Sequence, residues 1–238
     1  MIRLAVALLV LAEQDVPSSG DALSWLKSPD GRPESAQKQP RFPGLAEKDL
    51  AAMKEIRLGG HRASDNKHVF IPAAEFRNLL ALPALEKANL VEIDGLTDEA
   101  LVFVGKLANL KDLNLGDAQI TNAGVKSLAG LKNLTRLQLG WTKDVGDAAI
   151  PALSPLSKLE FLGLGGTNVT DDGIPALASL AGLKEVHLMA TAVTDQGFAA
   201  LAACKSLETV QINKKNKITA QGIEALKKAL PNCTVVVK

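Results

Sequence analysis

The sequence predicts an α/β solenoid, a stack of strand–helix units whose strands join into one parallel sheet. Two observations carry that expectation. Apolar residues return at fixed offsets with a period of 24 or 25 residues. Inside each period the apolar spacing changes from three to two, the mark of a helical turn followed by a strand. Composition agrees. Of the 238 residues 47% are hydrophobic, which excludes wholesale disorder and suffices for a buried core.

The chain opens Met1-Ile2-Arg3, continues with the apolar run Leu4 to Ala12, and turns polar at Glu13-Gln14-Asp15. A basic residue, a short apolar run and a small residue before polar chain make a minimal signal-peptide pattern over residues 1–12, with Val10-Leu11-Ala12 as the cleavage triplet. The expectation is export to the periplasm, the cell surface or the medium; the alternative is a cytoplasmic protein with an apolar start. The run is too short for a membrane-spanning helix, which needs about 20 residues. Residues 13–44, punctuated by Pro17, Gly20, Pro29, Gly31, Pro33, Pro40 and Pro43, read as a flexible linker with Trp25 and Leu26 as an isolated apolar pair.

Residues 45–70 are expected to form an irregular cap, because Leu50, Met53, Ile56 and Leu58 match only the strand half of a unit. The connection Gly59 to His68 is longer than its equivalents. Residues 71–95 form a degenerate repeat: Ile71, Phe76, Leu79, Leu82, Leu85, Ala88 and Leu90 keep the offsets, but Glu75 stands where the other units have a small residue. Regular repeats span 96–217. Ile120, Val125, Leu128, Leu131, Leu134, Leu137 and Leu139 set the pattern, and Leu96, Val145, Val169 and Val193 open further copies. No single unit can bury its apolar edge, so neighbours must stack. Each buried Leu or Val contributes about 1.5–3 kcal/mol, which makes this ladder the dominant feature of the chain.

The start of each helix carries a signature: Thr121-Asn122-Ala123-Gly124, Thr170-Asp171-Asp172-Gly173, Thr194-Asp195-Gln196-Gly197 and Thr219-Ala220-Gln221-Gly222. Thr or Asp there caps the first helical amides. The fourth position is small throughout, as Ala100, Gly124, Ala149, Gly173, Gly197 or Gly222, and a larger side chain is expected to hold adjacent helices apart. Thr142, Thr167 and Thr191 recur at the strand exits, where their hydroxyls are expected to bond the backbone of the neighbouring coil.

LxxLxLxx units with a 24-residue return resemble the leucine-rich repeat over residues 96–238. The Thr-Asp-x-Gly helix start is similar to the subtype common in bacterial tandem arrays and in the repeats that accompany F-box proteins, though no F-box segment is visible. The resemblance implies a right-handed solenoid, with parallel strands on the concave face, short helices on the convex face, and protein or peptide binding on the concave side. The family's Asn after LxxLxL is replaced here by Ala118 or Thr. In the last unit, the cap repeat 218–238, one extra residue separates Leu226 from Leu230; Leu230 to Val237 then reads as the closing strand, with Lys238 in the final apolar position.

Residues between the ladder positions of each strand then face the concave side. The candidate ligand-binding residues are Arg136, Gln138, Trp141, Phe161, Glu185, His187, Met189 and Gln211. Trp141, Phe161, His187 and Met189 are expected to form an exposed apolar cluster of the kind that anchors interfaces, beside a shallow slot left by the glycines of Leu162 to Gly166. The plainer alternative is that Trp141 covers a turn and the glycines serve backbone geometry.

Charge is balanced, 27 Lys and Arg against 26 Asp and Glu, and aromatics are 3% with no Tyr, so nucleic acid and anionic membrane are not expected partners. No cofactor or metal motif is visible: His61, Asp65 and His68 lack a zinc spacing. His187 beside Glu185 has the elements of acid–base chemistry but no evident nucleophile. Cys204 and Cys233 stand at ladder positions as small buried hydrophobes, with a bridge between the last coils as the alternative. The expected function is non-catalytic recognition of a protein or peptide by a monomer. The alternatives are a structural or scaffolding component of the cell envelope and an enzyme with a site around His187 and Glu185.

Overall fold

The structure, a computed structural model, describes residues 51–58 and 68–238. The signal-peptide pattern, the linker with Trp25 and Leu26, and His61 and Asp65 lie outside the described residues. Ten short strands follow in chain order: β1 (Glu55–Arg57), β2 (Val69–Phe70), β3 (Lys87–Asn89), β4 (Ile93–Asp94), β5 (Asp112–Asn114), β6 (Arg136–Gln138), β7 (Phe161–Gly163), β8 (Glu185–His187), β9 (Thr209–Ile212) and β10 (Thr234–Val237). Eight of them join, in the order β1-β3-β5-β6-β7-β8-β9-β10, as one parallel sheet; β2 and β4 form a separate ladder. The register sets Leu113, Leu137, Leu162, Val186 and Val210 side by side, all fully buried. These residues are the aliphatic spine that the periodicity predicts, and the fold is the right-handed α/β solenoid with its strands on the concave face.

The chain returns across the convex side in short helical segments. Asp98–Val104, Asn122–Lys126, Asp195–Ala200 and Ala220–Ala229 are α-helical, whereas Asp147–Leu153 and Ile174–Ser179 are 3₁₀. Pro151 lies inside its segment, where it has no amide hydrogen to bond back into the preceding turn, while Pro175 sits in the first turn of its own, where none is needed. Residues 71–95 build a full coil, with a 3₁₀ segment Ala73–Ala81 before β3 and all seven ladder residues buried. Glu75 is accommodated there by accepting a 2.9 Å bond from Asn78 Nδ2.

The small residue at the fourth helix position has a sharper cause than helix spacing. The aspartate at the start of each helix reaches forward to the next coil. Asp171 accepts from the backbone N–H of Thr194 at 2.7 Å and from its hydroxyl at 2.6 Å. Asp98 with Thr121, Asp147 with Thr170 and Asp195 with Thr219 repeat the pair of bonds. The hydroxyls of Thr121, Thr194 and Thr219 in turn accept from an amide of their own first helical turn and cap those helices, whereas that of Thr170 accepts from the N–H of Asp172 in the turn before its 3₁₀ segment. The aspartate carboxylate occupies the space that a Cβ would take at the glycine of the following coil: Asp98 at Gly124, Asp147 at Gly173, Asp171 at Gly197 and Asp195 at Gly222. One rung differs. Asn122 accepts only from the N–H of Gly146, at 2.8 Å, and the following coil carries Ala149 in place of glycine.

Two expectations are corrected. The hydroxyls of Thr142, Thr167 and Thr191 donate within their own coils, to the carbonyls of Leu139, Leu164 and Leu188 at 2.5, 2.7 and 2.8 Å. At this position the threonine hydroxyl closes on the carbonyl three residues back and does not cross to the next coil. Asn216 is long enough: its Nδ2 donates to Leu188 O at 2.8 Å and to Thr191 Oγ1 at 3.2 Å, one coil back. Asparagine is therefore present at the last rung, displaced by the extra residue of the preceding turn. The closing strand also pairs one residue earlier than its spacing suggests. Val235 pairs with Val210 and Val237 with Ile212, so Val237 and not Lys238 ends the ladder, and it is 53% exposed because no further coil covers it.

Candidate functional site

The parallel register places one side chain per coil in each column of the concave face, with neighbouring strands about 4.8 Å apart. Lys87, Asp112, Arg136, Phe161, Glu185 and Thr209 make one column; Asn89, Asn114, Gln138, Gly163, His187 and Gln211 make the next. Five of the predicted residues form one connected array. Arg136 Nε lies 3.8 Å from Asp112 Oδ2, and its guanidinium sits over the Phe161 ring, 3.9 Å from the centroid. The Phe161 and His187 rings meet edge to face at 4.7 Å. His187 Nε2 is bonded to Glu185 Oε1 at 2.6 Å, and Gln211 Nε2 donates to the same oxygen at 3.2 Å.

This array corrects the expected exposed apolar cluster. Phe161 is only 5% exposed, covered by Arg136 on its face and His187 at its edge, so it supports its neighbours and is not itself an open anchor. The slot expected at Gly163 is filled by the Gln138 side chain: a Cβ on Gly163 would fall 2.7 Å from Gln138 Nε2. Gln138 Oε1 in turn accepts from the N–H of Gly140 at 3.1 Å.

The opening lies one step further along, where the chain leaves the strands. Glu92, Asp117, Trp141, Gly166 and Ala190 stand at the same place in successive coils, with φ values of 57°, 57°, 66°, 74° and 56°. The left-handed turn lets the first four N–H groups continue the inter-coil ladder, Glu92 to Gly116 O at 3.0 Å, Asp117 to Gly140 O at 2.9 Å, Trp141 to Gly165 O at 2.8 Å and Gly166 to Met189 O at 2.8 Å, while that of Ala190 donates to Asn213 Oδ1 at 3.1 Å. Beside this row runs a groove of about 340 Å³, bounded by Glu92, Asn114, Gly116, Asp117, Gln138, Gly140, Trp141, Gly165, His187 and Met189. The indole of Trp141 is laid on Gly166, where an added Cβ would come within 2.7 Å of Cδ2, yet the residue remains 55% exposed. A second hollow of about 320 Å³, lined by Glu55, Lys87, Asp112, Arg136 and Phe161 among others, carries both signs of charge.

The model of the leucine-rich repeat family matches residues 106–129. The fold is similar to an internalin C2 from Listeria monocytogenes, at 18% identity and a TM-score of 0.53, covering 91% of this chain and 92% of the internalin. The chain has the fold of a leucine-rich repeat protein. A plant peptide hormone receptor, RGFR1, solved in complex with RGF2, is similar at 20% identity and a TM-score of 0.50 over 80% of this chain. The chain spans about 29% of the length of that receptor chain. No curated protein matches it.

Within this leucine-rich repeat sheet, all eight predicted site residues face the strand side. Arg136, Phe161, Glu185, His187 and Gln211 belong to the array, while Gln138, Trp141 and Met189, with His187, border the groove. Glu92 and Asp117 were not among the candidates. The signal for them was present, since both stand two residues after a ladder leucine, Leu90 and Leu115, as Trp141 does after Leu139. His68 lies 3.4 Å from Asp94 Oδ1 and 4.0 Å from Asp117 Oδ2, at the rim of the same row. Among the described residues no group of three His, Cys, Asp or Glu side chains is placed to hold a metal ion, and no helix is long and apolar enough to cross a membrane. Cys204 and Cys233 are buried free thiols. Burial raises the Cys204 pKa to about 11, with the neighbouring Cys233 adding to the effect.

Proposed function

We propose that the protein is a non-catalytic binding module that takes a protein or peptide on its concave strand face. The connected array from Asp112 to Gln211 carries this reading. It holds side chains from five successive coils in fixed positions before any ligand arrives, which lowers the ordering cost of association. The plant receptor, named for a peptide hormone and solved with RGF2, and the similarity to an internalin support the same class of role. His187 is engaged by Glu185 and packed on Phe161, an arrangement that suits orienting a binding surface. The signal-peptide pattern of residues 1–12 supports an exported location.

A random-peptide display selection on the immobilised full chain tests the proposal. Recovered peptides should lose binding on an Arg136→Ala/Gln211→Ala variant and keep it on a convex-side control, Lys126→Ala. Recovery of no binder, or of binders indifferent to the concave substitutions, would refute it.

A further inference from the structure

We infer that the groove at the strand exits is a saccharide site. It takes a neutral oligosaccharide of β-linked pyranose units, stacked on Trp141 and hydrogen-bonded by the side-chain amides of the groove floor. The inference goes beyond the peptide-binding role proposed above and does not depend on it.

The floor is lined with hydrogen-bond donors. Asn114 Oδ1 accepts from the N–H of Gly116 at 3.0 Å, and Gln138 Oε1 accepts from that of Gly140 at 3.1 Å. At the far end Asn213 Oδ1 accepts from the N–H groups of Ala190 and Lys215, both at 3.1 Å. With each oxygen held by the backbone, each NH₂ group is turned away from it. Among the described residues none of these three amide nitrogens has a hydrogen-bond partner, and none is buried. A purely apolar occupant would strip them of water without compensation.

Beside the floor stands the indole. Trp141 is laid on Gly166, which holds it in place, yet it stays 55% exposed where it borders the groove. Its φ of 66° is unusual for a bulky residue, and one coil later the same position is Gly166. A held, half-open indole offers a flat face of negative π density. A pyranose ring with equatorial substituents meets such a face with its C–H bonds and turns its hydroxyls outward, toward the amides. Charge selects a neutral ligand. No lysine or arginine borders the groove to hold an anion. Asp117 already has His68 Nε2 at 4.0 Å, so it calls for no cation, but that separation is too long for a hydrogen bond and leaves the carboxylate lone pairs open. A hydroxyl group accepts from an amide and donates to a carboxylate at once, which a proline-rich segment without N–H groups does not. The groove volume of about 340 Å³ is at the low end for small-ligand clefts, about 300–1,000 Å³.

Isothermal titration of the full chain with neutral β-linked hexasaccharides of glucose, N-acetylglucosamine, mannose and xylose tests the inference. A Trp25→Phe background leaves Trp141 as the only tryptophan, so its fluorescence reports on the groove. At least one saccharide should bind saturably, shift the Trp141 emission to shorter wavelength, and bind equally at low and high salt. Trp141→Gly, which relieves the left-handed backbone, should weaken binding about tenfold. Asn114→Asp/Gln138→Glu keeps the oxygens that accept from Gly116 and Gly140, removes the donors, and should weaken binding about tenfold or more. Lys126→Ala, on the convex side, should bind as the wild type does. Circular dichroism checks that the variants fold, and if Trp141→Gly does not, the amide variant decides. No saturable binding of any of these saccharides, or binding indifferent to the groove substitutions, would overturn the inference. Displayed peptides that need Trp141 while every saccharide fails would assign the groove to peptide, overturning the inference and leaving the concave-face role intact.

Discussion

Replacing Gly197 with alanine tests the aspartate–glycine rung at which an added Cβ would come nearest to the backbone of the aspartate. An added Cβ would lie 2.8 Å from Asp171 Cα and would overlap Asp171 Oδ1. A backbone contact that short cannot be relieved by a rotamer change, so one coil must move against the other. Overpacking of this kind costs about 1–3 kcal/mol. The movement also weakens the two bonds that Asp171 accepts from Thr194, and one charge-assisted bond is worth about 1.5 kcal/mol at the low end appropriate to a partly exposed site. Alanine regains about 1 kcal/mol of helix propensity. The balance is a loss of about 1.5–3.5 kcal/mol, read as a lowered midpoint in urea unfolding followed by circular dichroism. The reasoning predicts a specific non-additivity. Once Asp171→Asn has weakened the rung, the alanine has less to break, as the natural Asn122 with Ala149 shows. The double variant Asp171→Asn/Gly197→Ala should therefore be about 1 kcal/mol more stable than the sum of the single changes implies. Strict additivity, or a Gly197→Ala variant as stable as the wild type, would refute the account.

Asn216→Ala removes a buried side-chain amide that donates from the last turn to the coil of Thr191, and should cost about 1–3 kcal/mol in the same unfolding assay; a change below about 0.5 kcal/mol would deny it that role. Burial, reinforced by Cys233, holds the Cys204 thiol protonated up to about pH 11, above its ordinary value of 9.0. The folded state thus retains a proton that the unfolded chain releases, so this contribution to stability is fully present below pH 9 and is lost as pH rises toward 11. Iodoacetamide at pH 8 should label the native protein slowly and the denatured chain at both cysteines; two fast-reacting thiols in the native protein would contradict the burial of Cys204 and Cys233.

The periodic part of the fold was legible because burial is the strongest force acting at each ladder position. From Ile120 to Ile212 the repeating aliphatic residues, together with Phe198 and Cys204, are all buried, and their strand members pair as spacing alone requires. Interactions between coils were less legible, because they depend on how far a side chain reaches. Thr142 and Asn216 occupy related turns, yet the threonine closes on its own coil and the asparagine crosses. The aspartate–glycine rule was written in the sequence at an offset that a single unit does not reveal. Asp98 precedes Gly124, Asn122 precedes Ala149 and Asp147 precedes Gly173, each pair linking one coil to the next. At the site, Phe161 has the look of an exposed aromatic until Arg136 and His187, from the flanking strands, are seen to cover it. Glu92 and Asp117 lie just outside the strands and acquire meaning only when the left-handed turns align them with Trp141.

Two sets of inter-coil bonds therefore control the surface, one on each side of the aliphatic spine. The array from Asp112 to Gln211 fixes the strand face, and the aspartate–threonine rungs fix the helix starts. Each coil contributes one side chain to a given column, so the tilt of a coil against its neighbour sets the distance between groups on the strand face. The rungs are uneven in one place. The coil that carries Trp141 is joined to the coil of Asp117 through Asn122 and Gly146 by one bond, where the other four rungs have two, because Gly146 has no hydroxyl to offer. Asp117 and Trp141 belong to the two coils that this rung connects. The helix starts of those two coils are therefore tied by one bond where the four aspartate–threonine rungs have two, so the spacing between Asp117 and Trp141 depends more on the strand face than the spacings at those rungs do.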